Sequence, residues 1–246
     1  MILYFYNNQR GIRMKNNTSA LINECFNGKM SIPTFVKLVF SIFKENITDI
    51  TIMAVLTNIP FLIFKLTIEK GSTLELIANF IAVALSVILT VGIMKLIDSR
   101  SKGTDITWIK ALLSIKENWM IPAGAILVQN FLIALGAQFF SLFGIIINIM
   151  LIASIPLATL GGRNIVTSII ESFNLVKVNF FDVAAKILIL SAILGMVMSG
   201  IRYLGGANVI VASVGVIAMG VLSTIVTLAS MVLFYNLPVV NKNNTF

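Results

Sequence analysis

Three times along this chain, an amphipathic segment that ends near a lysine is followed by an apolar stretch long enough to cross a bilayer twice. The three segments align on Lys44, Lys116 and Lys177, and each has an asparagine two residues later. Four further columns, spaced i, i+4, i+7 and i+11, are apolar in every copy: Val36/Trp108/Ile169, Phe40/Leu112/Phe173, Phe43/Ile115/Val176 and Ile47/Trp119/Phe180. This spacing is typical of one stripe of an α-helix. We therefore predict three helices that lie on an apolar layer before the chain crosses it.

The composition identifies that layer as lipid. Hydrophobic residues make up 58% of the 246 residues and charged residues only 11%, against roughly 45–50% and about 25% in soluble domains. A soluble fold with this composition would expose a large apolar surface to water. The chain has room for several membrane spans, but no room for a separate soluble domain of typical size.

A membrane-spanning helix needs about 20 apolar residues. Six stretches meet this requirement: Ile47 to Leu66, Leu74 to Ile97, Ile121 to Gln138, Leu142 to Leu160, Val183 to Ile201 and Ala207 to Leu233. The third and fourth lie in an uncharged stretch that allows other divisions, and we place their turn between Gly136 and Gly144. The sequence thus predicts an all-α integral membrane protein with six transmembrane helices. They form three repeats of an interfacial amphipathic helix plus a transmembrane hairpin, at residues 31–97, 104–160 and 164–236.

Lysines and arginines predict the orientation. Of the 18 basic residues, only Lys65, Lys70 and Arg202 fall on one side of the proposed spans. The positive-inside rule therefore places both termini and all three amphipathic helices in the cytoplasm. Many isoleucines and asparagines, and far more lysines than arginines, are typical of an AT-rich bacterial genome. The predicted location is the bacterial cytoplasmic membrane, as a multi-pass protein.

The remaining segments are short. We predict a single membrane domain at residues 31–238, a partly disordered cytoplasmic segment at 1–30 and a cytoplasmic tail at 239–246. The first thirteen residues have no small-residue cleavage site, so we do not expect a signal peptide. The peptide before Met14 has the sequence Arg-Gly-Ile-Arg, which a purine-rich ribosome-binding sequence would encode, and Met14 is therefore an alternative start to Met1.

Several kinds of chemistry are excluded by residue type. The chain has no histidine and one cysteine, Cys25, which removes histidine-dependent metal, haem and protease sites and any internal disulfide. The acidic residues form no cluster in the sequence. We therefore expect no cofactor and no enzymatic activity, and an intramembrane enzyme is disfavoured because acid–base and nucleophile candidates are not grouped.

The proposed spans carry charges only within about two turns of their ends, where side chains such as Lys186 are expected to extend toward the interface. Their interior polar groups are uncharged: Asn58, Asn79, Gln129, Asn130, Gln138, Asn148, Ser86 and Thr90. Two interpretations are open for them, hydrogen bonds between helices or a path for a polar substrate. A carboxylate for proton-coupled transport is missing from the span interiors, which leaves passive or partner-energised transport.

Prolines and small residues add two further expectations. Three prolines lie in or beside spans: Pro60, Pro122 and Pro156. Proline is ordinary in membrane helices, but broken helices also form binding sites in transporters. Small residues form one face of the fifth span, at Ser191, Gly195 and Ser199, and another on the sixth, at Gly220 and Thr224. Such faces predict close helix contacts.

The aligned lysines and asparagines are the candidate site residues. Lys44, Lys116 and Lys177 are predicted to contact anionic lipid headgroups, although the positive-inside rule alone would also require them. The asparagines of the same alignment are Asn46, Asn118 and Asn179. Because asparagine tolerates left-handed backbone and its amide satisfies loose backbone groups, we predict a corner between surface helix and span at each. A sharper alternative is that the three amides meet at one ligand.

The segment from Ile155 to Leu190 also carries a family pattern. It has a proline near the end of a span, then an amphipathic segment with serine and a lysine-bearing end, then another span: Pro156, Ser168, Glu171, Ser172, Lys177 and Asn179. This pattern resembles bacterial six-span proteins related to the membrane domain attached to some glycerophosphodiester phosphodiesterases, and it extends loosely over residues 31–236. The resemblance implies a membrane module and not the hydrolase, whose histidines and acidic metal ligands are missing here.

Two functions follow from these observations. The first is a non-enzymatic membrane module that organises lipid or a partner protein through its cytoplasmic helices. The alternative is a small permease or immunity-type transporter subunit that handles an amphipathic molecule, beside a separately encoded ATPase. The expected partners are membrane lipids and a membrane or ATPase protein, and no nucleic acid.

Overall fold

The structure is a computed structural model that describes residues 29–67, 73–117, 119–205 and 209–243, together with positions 22 and 25. Over these residues it is helical and has no β-strand, which confirms the predicted all-α fold. The helices are α1 Ile32–Glu45, α2 Ile47–Thr67, α3 Thr73–Ser101, α4 Trp108–Leu113, α5 Met120–Phe139, α6 Ser141–Met150, α7 Ser154–Thr159, α8 Ile165–Lys177, α9 Phe180–Gly205 and α10 Val209–Asn243. A 3₁₀ helix, Ser114–Glu117, continues α4.

Five stretches of the described residues are long and apolar enough to cross a membrane. They are Ile81–Ser101, Met120–Phe139, Ser141–Thr159, Phe180–Ile201 and Gly220–Leu237. The first predicted span corresponds to α2, Ile47–Thr67, in which the described apolar stretch is Ile47–Pro60. The described residues are therefore those of a helical membrane protein with five candidate spans, while a further span at α2 and the threefold repeat stay predictions.

The long uncharged stretch turns at Phe140. This residue has extended backbone, with φ −166° and ψ 130°, between α5 and α6, and it lies inside the interval predicted for the turn. The two helices then approach closely: a Cβ atom at Gly144 would lie 2.9 Å from the Cβ of Ala137 and 3.1 Å from the carbonyl oxygen of Ile133. Glycine at position 144 thus allows the two backbones to pack as a tight hairpin.

Helix α10 lies at the centre of the described helices. It packs against α1, α2, α3 and α9, and its residues Ile225, Leu228 and Val232 are buried in the main apolar core. The contact with α2 is close, because a Cβ atom at Gly220 would lie 2.6 Å from the amide nitrogen of Asn58. This is the helix contact that the small residues of the sixth span predicted.

The small-residue face of α9 differs from this prediction. Ser191, Gly195 and Ser199 are exposed, and a Cβ atom at Gly195 would meet nothing within 4 Å. The described residues therefore form no close helix contact there. Small residues permit close approach, but they do not by themselves bring a partner helix.

The ends of the predicted domain are also ordered in part. Ile22 and Cys25, from the segment predicted to be partly disordered, are buried in the core, and the Asn236 side chain donates a hydrogen bond to the Cys25 carbonyl at 2.7 Å. Helix α10 continues to Asn243, into the predicted tail. The alternative starts at Met1 and Met14 lie outside the described residues.

Each of the three amphipathic helices begins with a side-chain cap. The side chains of Ser31, Thr107 and Asn164 accept a hydrogen bond from the backbone N–H three residues later, at the starts of α1, α4 and α8. Such caps satisfy N–H groups that have no partner within the helix. In the described part, positive φ occurs at Gly103 and Gly162, just before the caps of α4 and α8. Glycine adopts this conformation without the steric cost of a Cβ, and the chain reverses there.

Candidate functional site

The three aligned lysines lie at or near the ends of the amphipathic helices. Lys44 and Lys177 are in the last turns of α1 and α8, and Lys116 is in the 3₁₀ helix after α4. All three side chains are exposed. They are therefore accessible to a headgroup or a partner, and the lipid contact stays a prediction.

Asn46 lies between α1 and α2 and is 1% exposed. Its amide donates a hydrogen bond to the Ile42 carbonyl at 2.8 Å, and its side-chain oxygen accepts one from the Arg100 guanidinium at 2.5 Å. Arg100 also forms an ion pair with Asp49 at 2.6 Å. The backbone of Asn46 has φ −106° and ψ 11°, so the helix break uses the amide but not the left-handed conformation that we expected.

The other two asparagines give an incomplete comparison. Asn179 lies in the turn between α8 and α9, is 9% exposed, and its N–H donates to the Val176 carbonyl at 3.0 Å. Its φ is not positive either. Asn118 lies outside the described residues. The corner at three equivalent sites and the shared ligand site therefore stay predictions.

Most residues of the predicted apolar stripe are buried or pack against the core, and a neighbouring column of smaller residues is buried as well. One aligned column is 0% exposed in all three copies, namely Val39, Ala111 and Ser172. It lies one residue before a predicted apolar column, in which Phe173 is 48% exposed. The predicted stripe did not include this column, because alanine and serine are not distinctly apolar. Their small size lets these helices pack closely.

Lys186 corrects the expectation that charges near span ends extend to the interface. Its side chain is 1% exposed, and its ammonium group forms an ion pair with Asp182 at 2.6 Å, one turn earlier on α9. The ammonium nitrogen also lies 6.0 Å from the centre of the Phe35 ring of α1. A buried charge needs a partner, and here the partner lies on the same helix.

Asp98 joins the end of α3 to α10 through a hydrogen bond and also forms an ion pair. Asp98 accepts a hydrogen bond from the Tyr235 hydroxyl at 2.7 Å and forms an ion pair with Lys102 at 2.6 Å. These contacts and the Arg100 cluster lie at the same end of α3. They fix the end of the helix bundle that the charge pattern predicts to be cytoplasmic.

The fourth predicted span is a broken helix. Helix α6 ends at Met150, a turn follows at residues 151–153, and α7 begins at Ser154. The Ser172 hydroxyl of α8 bridges the break, because its oxygen accepts from the Ala153 N–H at 3.1 Å and its proton goes to the Met150 carbonyl at 3.0 Å. Irregular backbone at membrane depth requires such partners.

Pro156 contributes to the same interruption. A proline has no N–H to donate to the carbonyl four residues earlier, which here belongs to Ile152. The Ser154 hydroxyl after the break donates to the side-chain oxygen of Gln129, on α5, at 2.7 Å. The break is thus held by α8 on one side and by α5 on the other.

A cavity of about 360 Å³ adjoins this break. Eight uncharged polar and five apolar residues line it, and the surface that faces the cavity is mostly apolar: Ser86, Leu89, Thr90, Met94, Gln129, Asn148, Ile152, Ile155, Ser223, Thr224, Val226, Thr227 and Ser230. Most lie near the middle of α3, α5 and α10, so the cavity lies far from the helix ends. Its volume is within the range of about 300–1,000 Å³ that is usual for small-molecule sites.

The cavity has an open side and a closed side. Ser86, Asn148, Ser223 and Val226 are exposed, whereas Gln129 is 6% and Thr224 2% exposed. Ser86, Ser223 and Val226 lie far from the ends of α3 and α10, whereas Asn148 lies close to the break at the end of α6. The open side of the cavity is therefore on the surface of the middle parts of α3 and α10.

The sequence identified half of this polar lining. Ser86, Thr90, Gln129 and Asn148 were recognised as polar groups inside spans, and the structure brings them together. On α10, Ser223, Thr227 and Ser230 were not predicted, and Thr224 was predicted only as part of a small-residue face. They recur on one side of α10, a signal that a search for helical periodicity among small polar residues would detect.

The other interior polar groups lie elsewhere. The Asn58 amide lies against Gly220 of α10 and donates a hydrogen bond to the Ala54 carbonyl of its own helix at 2.7 Å. Asn130 and Gln138 are exposed on α5. The side chain of Asn79 lies outside the described residues. Within the described part, no group of three or more acidic or cysteine side chains lies together as a metal site would require.

Comparisons with known proteins return no relative. No protein family matches the chain, and no curated protein or solved structure is significantly similar to it. The resemblance to the membrane domain of glycerophosphodiester phosphodiesterases therefore stays a prediction.

Proposed function

We propose that this protein is a small permease, or the membrane subunit of a transporter, that binds an amphipathic molecule inside the bilayer. The proposal corresponds to the alternative that the sequence left open. The observation that carries it is the cavity beside the broken helix α6–α7, whose mostly apolar surface includes eight uncharged polar side chains. Discontinuous helices near mid-membrane are a recurring way to build transporter binding sites.

The depth and opening of the cavity support an amphipathic ligand. A polar group can be held by the hydroxyls and amides of the wall, while its apolar part remains in the lipid beside the exposed Val226. The described lining contains no acidic or basic residue, so this site offers no titratable group for proton coupling. Movement of the ligand is therefore passive or is driven by a partner protein.

Photolabelling tests the proposal. The full chain in phosphatidylcholine nanodiscs is exposed to probes that share one photoactivatable 16-carbon chain and differ in their head group: glycerol, carboxylate or trimethylammonium. We expect at least one probe to label peptides of α3, α5 and α10 saturably. Thr227→Phe, which adds bulk to the cavity wall, should reduce this labelling. Met196→Phe is the matched control, because Met196 is 69% exposed on α9.

Labelling that never saturates, or that Thr227→Phe leaves unchanged, would contradict the proposal. If the probe labels only residues at the helix ends, the interior cavity is not the binding site. The experiment needs no knowledge of the natural ligand, because the probes supply the chemistry of each class.

A second function is favoured by the exposed lysines. Lys44, Lys116 and Lys177 project from the amphipathic helices, and each basic residue near an anionic surface contributes about 1 kcal/mol. Together they would contribute about 3 kcal/mol to a preference for anionic lipid, as a module that organises lipid requires. A triple Lys→Gln variant that inserts normally with unchanged lipid preference would leave topology as the only role of these lysines.

A further inference from the structure

The cavity wall presents hydrogen-bond acceptors. On α10 the hydroxyls of Ser223, Thr224 and Ser230 donate to carbonyl groups of their own helix, at 2.7, 2.6 and 2.7 Å. On α3 the Ser86 hydroxyl donates to the Val83 carbonyl at 2.7 Å. A hydroxyl has one proton and two lone pairs. Because each proton is donated to a carbonyl of the same helix, the hydroxyl oxygen can only accept a hydrogen bond from a ligand.

The buried side of the cavity adds a donor. The side-chain oxygen of Gln129 accepts the hydrogen bond from Ser154, which leaves the amide nitrogen of Gln129 as the group that can face a ligand. An amide nitrogen donates and does not accept. The wall therefore combines several acceptors with a donor, an arrangement that matches hydroxyl groups, which do both.

The absence of charge in the described lining disfavours two other kinds of head group, an ammonium and a carboxylate. An ammonium or a carboxylate that leaves water needs a counter-charge, and the described lining contains none. A carboxylate would also meet oxygens whose lone pairs repel it. A neutral hydroxyl-bearing group has neither cost, because each of its protons finds an acceptor on α3 or α10.

We propose that the cavity binds the neutral, hydroxyl-bearing head group of a single-chain amphiphile. This inference rests on the proposed function and specifies its ligand class. The cavity volume of about 360 Å³ lies at the lower end of ligand sites, so it suits a head group of the size of glycerol and not an oligosaccharide. The hydroxyls of the ligand donate to the oxygens of Thr224, Ser230 and Ser86, and one accepts from Gln129.

The three photoactivatable probes test the inference through their rank order. The glycerol probe should label the cavity peptides saturably at a concentration at least tenfold lower than the carboxylate and trimethylammonium probes. This comparison uses the unaltered protein, so it does not depend on any variant folding. A charged probe that labels equally well or better would overturn the inference and leave the proposed function intact.

Two variants test whether the hydroxyls of the cavity wall bind the head group. Thr224→Val and Ser230→Ala each remove one acceptor with little change in volume, and each should raise the half-saturating concentration of the glycerol probe about fivefold or more. Thr224→Ser keeps the hydroxyl and should restore binding. Ser199→Ala removes an exposed hydroxyl of α9 and should have no effect.

The outcomes separate the two proposals. Glycerol labelling that is unchanged in both Thr224→Val and Ser230→Ala would show that the wall hydroxyls do not select the ligand, and would overturn the inference. If none of the three probes labels the cavity saturably, the proposed function fails together with it.

Discussion

At the scale of single residues, the two members of the ion pair on α9 differ in burial. Lys186 is 1% exposed, whereas the side chain of Asp182 is 22% exposed. Removing the carboxylate leaves an ammonium group in the apolar core, while removing the ammonium leaves a carboxylate that water can still reach. The two deletions therefore have different costs, although both break the same contact.

We expect Asp182→Asn to lower the free energy of unfolding by about 3 kcal/mol, the cost of leaving one charge of a buried pair alone. Lys186→Met replaces the buried lysine by an apolar side chain and should cost about 1 kcal/mol or less. Denaturation in mixed micelles measures both. Lys102→Met is the control, because Lys102 is 32% exposed in its pair with Asp98 and should have little effect. Equal losses for the two α9 variants would contradict the unequal burial.

Asn46 shows what the sequence reveals about a residue and what it does not. The repeat alignment placed it where a surface helix meets a span, and it does lie between α1 and α2. Its hydrogen bond to Arg100 joins residues 54 positions apart. Local patterns describe the neighbours along a helix, but a partner at this separation depends on how α2 and α3 pack.

At the scale of elements, the break between α6 and α7 depends on one hydroxyl from another helix. Ser172→Ala would leave the Ala153 N–H and the Met150 carbonyl without this partner. Unsatisfied buried backbone groups cost about 1–3 kcal/mol each. The break should then open more often or rearrange.

Hydrogen–deuterium exchange across residues 150–154 measures this directly. We expect the Ala153 amide to exchange at least about tenfold faster in Ser172→Ala, since a loss of 1.4 kcal/mol corresponds to a factor of ten. Ser168→Ala is a closely matched control: Ser168 is also 0% exposed on α8, but its hydroxyl donates to the Ile165 carbonyl of its own helix. Similar exchange in both variants would rule out the bridge.

The α5–α6 hairpin makes a second prediction at this scale. Gly144→Ala would place a methyl group 2.9 Å from the Cβ of Ala137 and near backbone, so we expect a loss of about 1–3 kcal/mol. Gly195→Ala on α9 meets open space and should leave the stability unchanged or slightly higher. Unfolding in mixed micelles compares the two. Equal stability of both variants would contradict the close approach of α5 and α6.

The positions of the amphipathic helices along the chain were easier to predict than the full set of residues that each helix buries. Apolar periodicity predicted the positions of α1, α4 and α8, because their apolar residues recur at helical spacing. The face that is buried in all three copies contains Ala111 and Ser172, whose polarity gives no hint of burial. Hydropathy describes how a side chain partitions between lipid and water, whereas close packing between helices depends on the size of the side chain.

At the scale of the whole molecule, the orientation in the membrane is the main open prediction. Reporter fusions after Lys70, Gly136 and Gly205 should report the outside, and fusions after Lys102, Arg163 and Lys242 the cytoplasm, because most basic residues lie on the second side. A cytoplasmic signal at Gly136 would contradict the assignment of α5 and α6 to separate spans. A cytoplasmic signal at Lys70 would contradict the first predicted span, α2, and with it the count of six.

The membrane character and helical class were predictable because they depend on composition and on segment length. The cavity was predictable only in part. Its wall is assembled from α3, α5 and α10, with Ser86 and Ser230 separated by more than half of the chain. Nothing local in either segment encodes their proximity, and the turn at residues 151–153 depends on Ser172, which follows about 20 residues later.

That order along the chain has a consequence for biosynthesis. Residues 141–159 leave the ribosome before Ser172 does, so the fourth predicted span emerges while its bridging hydroxyl is still inside the ribosome. Lipid offers no substitute for the bridge, and the newly inserted segment should therefore be a continuous helix except for the bond that Pro156 cannot make. The interruption arises only when α8 docks. A nascent chain stalled before residue 172 would contain the fourth span but not yet the cavity.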